Sequence, residues 1–225
     1  GVCRFCHRPV GETGHAFKLL REGGRLCGYC HWDRDIEANP HRSLGSRECI
    51  GCHSPHASAN EFLLRAPNLI ELCRDCHGDI LEGKPSLHTP VAKGGCVACH
   101  DLHRGPTGRP LKTEAELLCY RCHEATRNEI DRLAHVHPPV CENRCQACHD
   151  PHGGANTMNL KEDVPALCYS CHPEVSDVVQ NATHKHGAAG QKGSCLICHA
   201  AHASTAVSLL KRDPMSLCFS CHDRV

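Results

Sequence analysis

The chain has 225 residues with 25 basic and 25 acidic side chains, 21 cysteines and 21 histidines, but only four Phe and one Trp. Zero formal charge supplies no net attraction for nucleic acid and argues against it as a partner, no window approaches 18 consecutive apolar residues as a spanning helix would, and 4% aromatic content excludes an ordinary core. No segment has the profile of a signal peptide, so the chain reads as mature and soluble.

In chain order the dominant element is Cys-x-x-Cys-His, complete in ten copies that start at Cys3, Cys27, Cys49, Cys73, Cys96, Cys119, Cys145, Cys168, Cys195 and Cys218. Two thiols and an adjacent imidazole at this spacing are what covalent attachment of a c-type haem requires, because the thiols add to the porphyrin vinyl groups while the imidazole binds iron. Zinc ribbons and disulfide frameworks also use paired cysteines, but neither needs His after the second Cys, and ten coincidences of that kind exclude both. The sequence therefore predicts ten covalently attached haem c groups. The thioether positions are Cys3, Cys6, Cys27, Cys30, Cys49, Cys52, Cys73, Cys76, Cys96, Cys99, Cys119, Cys122, Cys145, Cys148, Cys168, Cys171, Cys195, Cys198, Cys218 and Cys221. The proximal iron ligands are His7, His31, His53, His77, His100, His123, His149, His172, His199 and His222.

From the third motif onward the odd copies carry a second His three places on, at His56, His103, His152 and His202. Pro55, Pro151, Gly105, Gly153 and Gly154 predict loops and turns there. The even copies follow helix-start signals at Asn68 to Glu71, Thr113 to Glu116 and Asp213-Pro214, which predict short helices. Helices are also expected from Glu124 to Leu133 and from Glu174 to Asn181. Tyr120, Tyr169 and Phe219 follow a first Cys and are expected to pack against haem. Motif starts recur every 22 to 27 residues, and the two types alternate in a two-haem repeat of 46 to 50 residues, a unit that buries its apolar face only by stacking on neighbours. The expected fold is mainly irregular loops with short α-helices and little or no β, in which haems form the core of one elongated multihaem domain. Its five two-haem repeats fall near 1–46, 47–93, 94–142, 143–192 and 193–225, and strands are expected only as short hairpin pairs.

The alternation of CIGCHSPH, CVACHDLH, CQACHDPH and CLICHAAH with Leu-Cys-x-x-Cys-His resembles the doubled CxxCH-motif family of multihaem cytochromes c. That resemblance implies an electron conductor: a periplasmic carrier, a cytochrome threaded through an outer-membrane porin, or a subunit of an extracellular filament. The first repeat departs from the pattern, with Val10 where the later odd copies have His, which places the distal ligand of the first haem in question.

Eleven histidines remain as distal candidates: His15, His41, His56, His88, His103, His135, His137, His152, His184, His186 and His202. Eleven for ten irons points to bis-His ligation at nearly every haem, with the His135/His137 and His184/His186 pairs offering one ligand and one spare, or two ligands. If each pair gives one, a site is left for the amine of Gly1, Met158, Met215, a neighbouring subunit or a substrate. Cys141 is the odd cysteine and is expected as a buried free thiol, with a disulfide to another chain or a sulfur near a haem as alternatives.

Bis-His iron binds no small substrate, so the expected function is electron transfer rather than catalysis, at low potentials spread over a broad range. A multihaem reductase with one open iron is the alternative of a different class. Covalent haem implies assembly outside the cytoplasm, at the cell surface or beyond it, with the periplasm as the alternative. Haem motifs close to both ends of the sequence suggest handover to other redox proteins, or to further copies end to end, with a porin sheath as another arrangement.

Overall fold

The structure, a computed structural model, describes residues 2–10, 16–31, 49–78, 80–103 and 110–222. Loops, short helices and two-stranded antiparallel sheets make it up, as the composition predicts. Two compact units divide the chain, one from residues 1–80 with 93–115 and the other from 81–92 with 116–225.

In the first unit a single turn at Val2–Phe5 leads into a hairpin of β1 (His7–Val10) and β2 (Ala16–Leu19), registered from His7↔Leu19 to Val10↔Ala16. The one-turn helix α1 (Gly24–Gly28) carries Cys27, and α2 (Leu69–His77) carries the whole motif from Cys73 to His77. Asn68 starts α2 as its sequence predicts: its side chain accepts the Glu71 N–H at 3.0 Å and donates to Glu71 Oε1 at 2.8 Å. That reciprocal exchange satisfies a donor the helix cannot pair internally.

The second unit contains β3 (Ser86–Leu87) and α3 (Thr89–Ala92), then α4 (Ala115–Leu118), where the chain passes from one unit to the other, and α5 (Glu124–Arg132). After these come β4 (His135–Val136), α6 (Pro138–Cys141), β5 (Gly153–Gly154), α7 (Ala166–Tyr169) and α8 (Pro173–Asn181). The unit ends with α9 (Cys195–Cys198), β6 (Ala203–Ser204) and α10 (Pro214–Cys218). Helices α5 and α8 fall where the periodicity predicts them. Asp213 caps α10 by accepting the Ser216 N–H at 3.0 Å, with Pro214 at the first helical position.

The odd motifs are turns, as expected: Cys96–Ala98 and Cys145–Ala147 are 3-10 turns, and Cys195–Cys198 tightens into a single α-helical turn, because the motif's own hydrogen bonds wind it. One expectation needs correction. Two of the three described sheets are not hairpins, since β3 pairs with β5 and β4 with β6 across long stretches of chain. Glycine permits the first of these approaches. A Cβ on Gly153, whose φ is +155, would lie 2.5 Å from the Ser86 carbonyl oxygen, and one on Gly154 would lie 2.3 Å from that of Leu160.

The polypeptide buries little of itself. Its accessible surface is 16202 Å², against about 10,000 Å² for a compact monomer of this mass. Among the described residues Ala66, Leu72, Leu160, Val164 and Ala203 are the buried hydrophobic ones, and no side chain is less than 2% exposed. Among the described residues no helix is long and apolar enough to cross a membrane.

Candidate haem-binding site

Each motif is built first by its own backbone. In eight of them, from His31, His53, His100, His123, His149, His172, His199 and His222, the histidine N–H donates to the carbonyl of the motif's first cysteine at 2.9–3.0 Å. This i to i+4 closure turns both cysteines and the imidazole toward one side of a single turn. The first motif differs, because only Cys6 closes back on Cys3, at 3.2 Å, and His7 leaves as the first residue of β1.

The side chains of the odd-motif histidines are fixed by the loops that follow. His53 Nδ1 meets the Phe62 carbonyl at 2.7 Å, His100 that of Pro110 at 2.8 Å, His149 that of Met158 at 2.8 Å and His199 that of Ser208 at 2.9 Å. A carbonyl only accepts, so the proton sits on Nδ1 and the Nε2 lone pair is left for a metal. Antiparallel bridges hold these loops, at His53↔Leu64, His100↔Leu111, His149↔Leu160 and His199↔Leu210. Three of the loops include residues at positive φ, Phe62 and Leu63, Asn159, and Ser208 and Leu209, a conformation such residues hold only where surrounding bonds impose it. His88 and His137 are locked in the same way, by Nδ1 donation to Pro151 at 3.0 Å and to Ala201 at 3.1 Å. His7 is the exception, with its Nδ1 buried and unpartnered.

Proximal and distal candidates then come together as facing imidazoles. Ring centroids lie 5.9 Å apart for His7 and His56, 6.1 Å for His53 and His103, and 6.0 Å for His149 and His202. They lie 6.0 Å apart for His88 and His123, 6.3 Å for His137 and His172, and 6.1 Å for His186 and His222. The interplanar angles run from 16° to 39°. Rings in direct contact would approach to about 3.5–4 Å. Two imidazoles bound through nitrogen on opposite sides of one metal, with bonds of about 2.0–2.1 Å, place their centroids near 6 Å. The residues present therefore fit a haem iron held between two imidazoles, with thioether cysteines beside one of them. Burial lowers the pKa of His137 and of His202, which favours the neutral imidazole that ligates metal.

The pairs obey a register. His56, His103 and His202, each the second His of an odd motif's loop, face the proximal His of the odd motif before it, so the missing His at Val10 does not leave His7 without a facing ring. The even-motif histidines His123, His172 and His222 face the histidine in front of the preceding odd motif. Of the two HxH pairs, His137 and His186 face a proximal ring. His135 sits in β4, paired through its backbone with Ser204, and His184 is exposed. His77 closes α2, and the His152 N–H donates to Asp150 Oδ1 at 2.9 Å. Gly1, His15 and His41 lie outside the described residues. Met158 and Met215 are exposed, and Met158 contributes its carbonyl to His149.

Cysteines of consecutive motifs adjoin. Cys73 hydrogen-bonds to Cys96, and burial together with Cys195 pushes the Cys168 thiol up to about 11. Burial raises Cys52 and Cys148 as well, with Cys76 and Cys171 beside them. Cys141 is exposed at the end of α6, not buried as the sequence suggests, because α6 turns it outward. Tyr120 has polar partners, with its hydroxyl 3.0 Å from Asn143 Oδ1 and Arg127 over its ring. An ion pair between Lys84 and Asp150 ties residues 81–92 to the loop of the Cys145 motif. Burial alone would raise the Asp150 pKa, but the Lys84 hydrogen bond and the His152 N–H bring it below the usual carboxylate range. The accepting carbonyls of Phe62, Pro110, Met158, Ser208, Pro151 and Ala201 leave no trace in the sequence, since backbone oxygens are common to every residue.

The family model described as the doubled CXXCH motif matches residues 41–81, 88–128, 137–177 and 186–225. Each matched segment holds one odd and one even motif and begins on a histidine, at His41, His88, His137 and His186. No curated protein matches the chain.

Proposed function

Because this chain belongs to the doubled CXXCH-motif family of multihaem c-type cytochromes, we propose that it conducts electrons through ten covalently attached haems, most of them held between two imidazoles. The observation that carries this reading is the set of facing imidazoles, with His7 and His56, His53 and His103, His88 and His123, His137 and His172, His149 and His202, and His186 and His222 at 5.9–6.3 Å. When bound, c-type haem supplies a one-electron couple at each site. The chain's own residues do the rest. Paired imidazoles would hold the iron between them, Nδ1 bonds to carbonyls set their basicity, and adjoining cysteines bring consecutive attachment sites together. Residues in this arrangement exclude a substrate from the iron and leave electron transfer as the activity.

The setting we propose is long-range transport at the cell surface or beyond it, as a filament subunit or surface conductor; a porin-sheathed or free periplasmic carrier is the alternative. Attachment sites recur every 22 to 27 residues from Cys3 to Cys221, which supports a conductor. Intact-mass measurement of the purified protein is expected to show ten added haems, with near-complete low-spin character by electron paramagnetic resonance. A mass showing fewer haems, or dominant high-spin iron, would count against the reading. Electron microscopy at high concentration tests the setting, where discrete monomers would oppose the filament.

A further inference from the structure

We infer that Glu174 is a positioning residue for the haem on Cys168 and Cys171: its carboxylate, set against Nδ1 of His172, lowers the potential of that haem. The inference rests on the haem reading above. Two even motifs offer a matched comparison. His123 faces His88 at 6.0 Å and His172 faces His137 at 6.3 Å, each at an interplanar angle of 20°. Both facing rings are locked alike, His88 on the Pro151 carbonyl at 3.0 Å and His137 on that of Ala201 at 3.1 Å. Each proximal histidine stands directly in front of a nine-residue helix, α5 after His123 and α8 after His172. The difference comes two residues on. Glu174 lies in the first turn of α8 with Oε1 3.5 Å from His172 Nδ1, whereas α5 has Ala125 at that place. Unlike His53, His100, His149 and His199, neither His123 nor His172 has a carbonyl against Nδ1 among the described residues, so Glu174 is an acceptor that His172 has and His123 lacks.

With Nε2 given to iron, Nδ1 carries the proton, and a carboxylate facing it draws that proton from the ring and leaves a more basic ligand. A more basic ligand and a nearby negative charge both favour ferric over ferrous iron, because the ferric site carries one more positive charge. The step is one electron onto iron, with the Nδ1 proton kept between imidazole and carboxylate. His172 and Glu174 are 51% and 69% exposed, so solvent screens the charge and limits the effect to about tenfold in the reduction equilibrium, 59 mV for one electron.

The test is a redox titration of the ten-haem protein followed by electron paramagnetic resonance, with Glu174→Gln beside the wild type. The signal of the haem on Cys168 and Cys171 is identified as the one that leaves the low-spin set in His137→Ala, and that of the haem on Cys119 and Cys122 as the one that leaves it in His88→Ala. In Glu174→Gln the reduction equilibrium of the first haem is expected to rise about tenfold. Its g values should move toward those of the second haem, which stays unchanged. Loss of a favourable charge at the start of α8 would by itself move neither readout. An unmoved potential and unmoved g values in Glu174→Gln, or the same shift at both haems, overturn the inference and leave the haem reading intact. A low-spin set that neither His137→Ala nor His88→Ala alters would overturn the haem reading itself.

Discussion

The Nδ1–H of His137 points at the Ala201 carbonyl 3.1 Å away, while the next residue, His202, presents its ring to His149 at 6.0 Å. The His137 N–H also donates to the His202 carbonyl, at 2.9 Å. A single loop therefore orients imidazoles that face two different motifs. In His202→Ala, the haem on Cys145 and Cys148 is expected to change from low spin to high spin, and the low-spin signal of the haem on Cys168 and Cys171 should shift slightly. Electron paramagnetic resonance reads both. An unchanged low-spin count would refute the assignment of His202 to His149.

Gly154 tests the close approach of backbones beneath the Cys145 motif. A side chain there meets the Leu160 and Asn159 backbone, which cannot yield as a flexible side chain would. Gly154→Ala is expected to destabilise the protein by about 1–3 kcal/mol and to loosen the loop that brings the Met158 carbonyl to His149. Denaturant titration measures the first effect, and the spectrum of that haem reads the second. Wild-type stability would show that the loop closes differently.

Lys84 and Asp150 are both largely shielded, at 20% and 27% exposure, so their ion pair is less screened than one at the open surface. Lys84→Met is expected to cost about 1–2 kcal/mol, because Asp150 keeps only part of its hydrogen bonding. The Asp150 carboxyl should then titrate closer to its ordinary range, which carbon-13 detected titration follows. An unshifted carboxyl would mean that Lys84 does not hold it.

Asp213 carries a pH dependence whose sign is fixed by its cap. Its hydrogen bonds from Ser216 depress the folded-state pKa, so the stabilisation is complete above the unfolded value of about 3.9 and is lost as pH falls through the lower folded value. Hydrogen exchange at Leu217, corrected for intrinsic rate, should accelerate in that acid window. Asp213→Asn retains a capping oxygen and should flatten the response. Equal acid slopes in both proteins would exclude the carboxylate as the source.

What the sequence disclosed and what it withheld divide along the range of the interactions. Asn68, Asp213 and Pro214 announce their helices because a cap is decided within three or four residues, and CxxCH announces a haem because attachment and ligation lie within five. Val10 misled for the opposite reason. A missing His three places after a motif looks like a defect of that motif, yet the imidazole facing His7 arrives from His56. The same holds for β4 and β6, whose two-residue strands have no periodicity to read, and for Cys141, whose outward direction is set by the end of α6.

The pairing of His53 with His103 has a consequence for how such a chain can change its length. A unit cut between equivalent points and copied in tandem brings its own forward-facing imidazole and receives one from its successor, so every interior partnership survives the duplication. Loss of a whole unit is absorbed in the same way. Deletion of a single odd motif with its leading segment is not, because an even-motif histidine such as His123 takes its facing ring from the residue in front of the preceding odd motif, at His88, and loses it when that segment goes. A chain joined by this stitch gains or loses haems with its partnerships intact when they come and go two at a time.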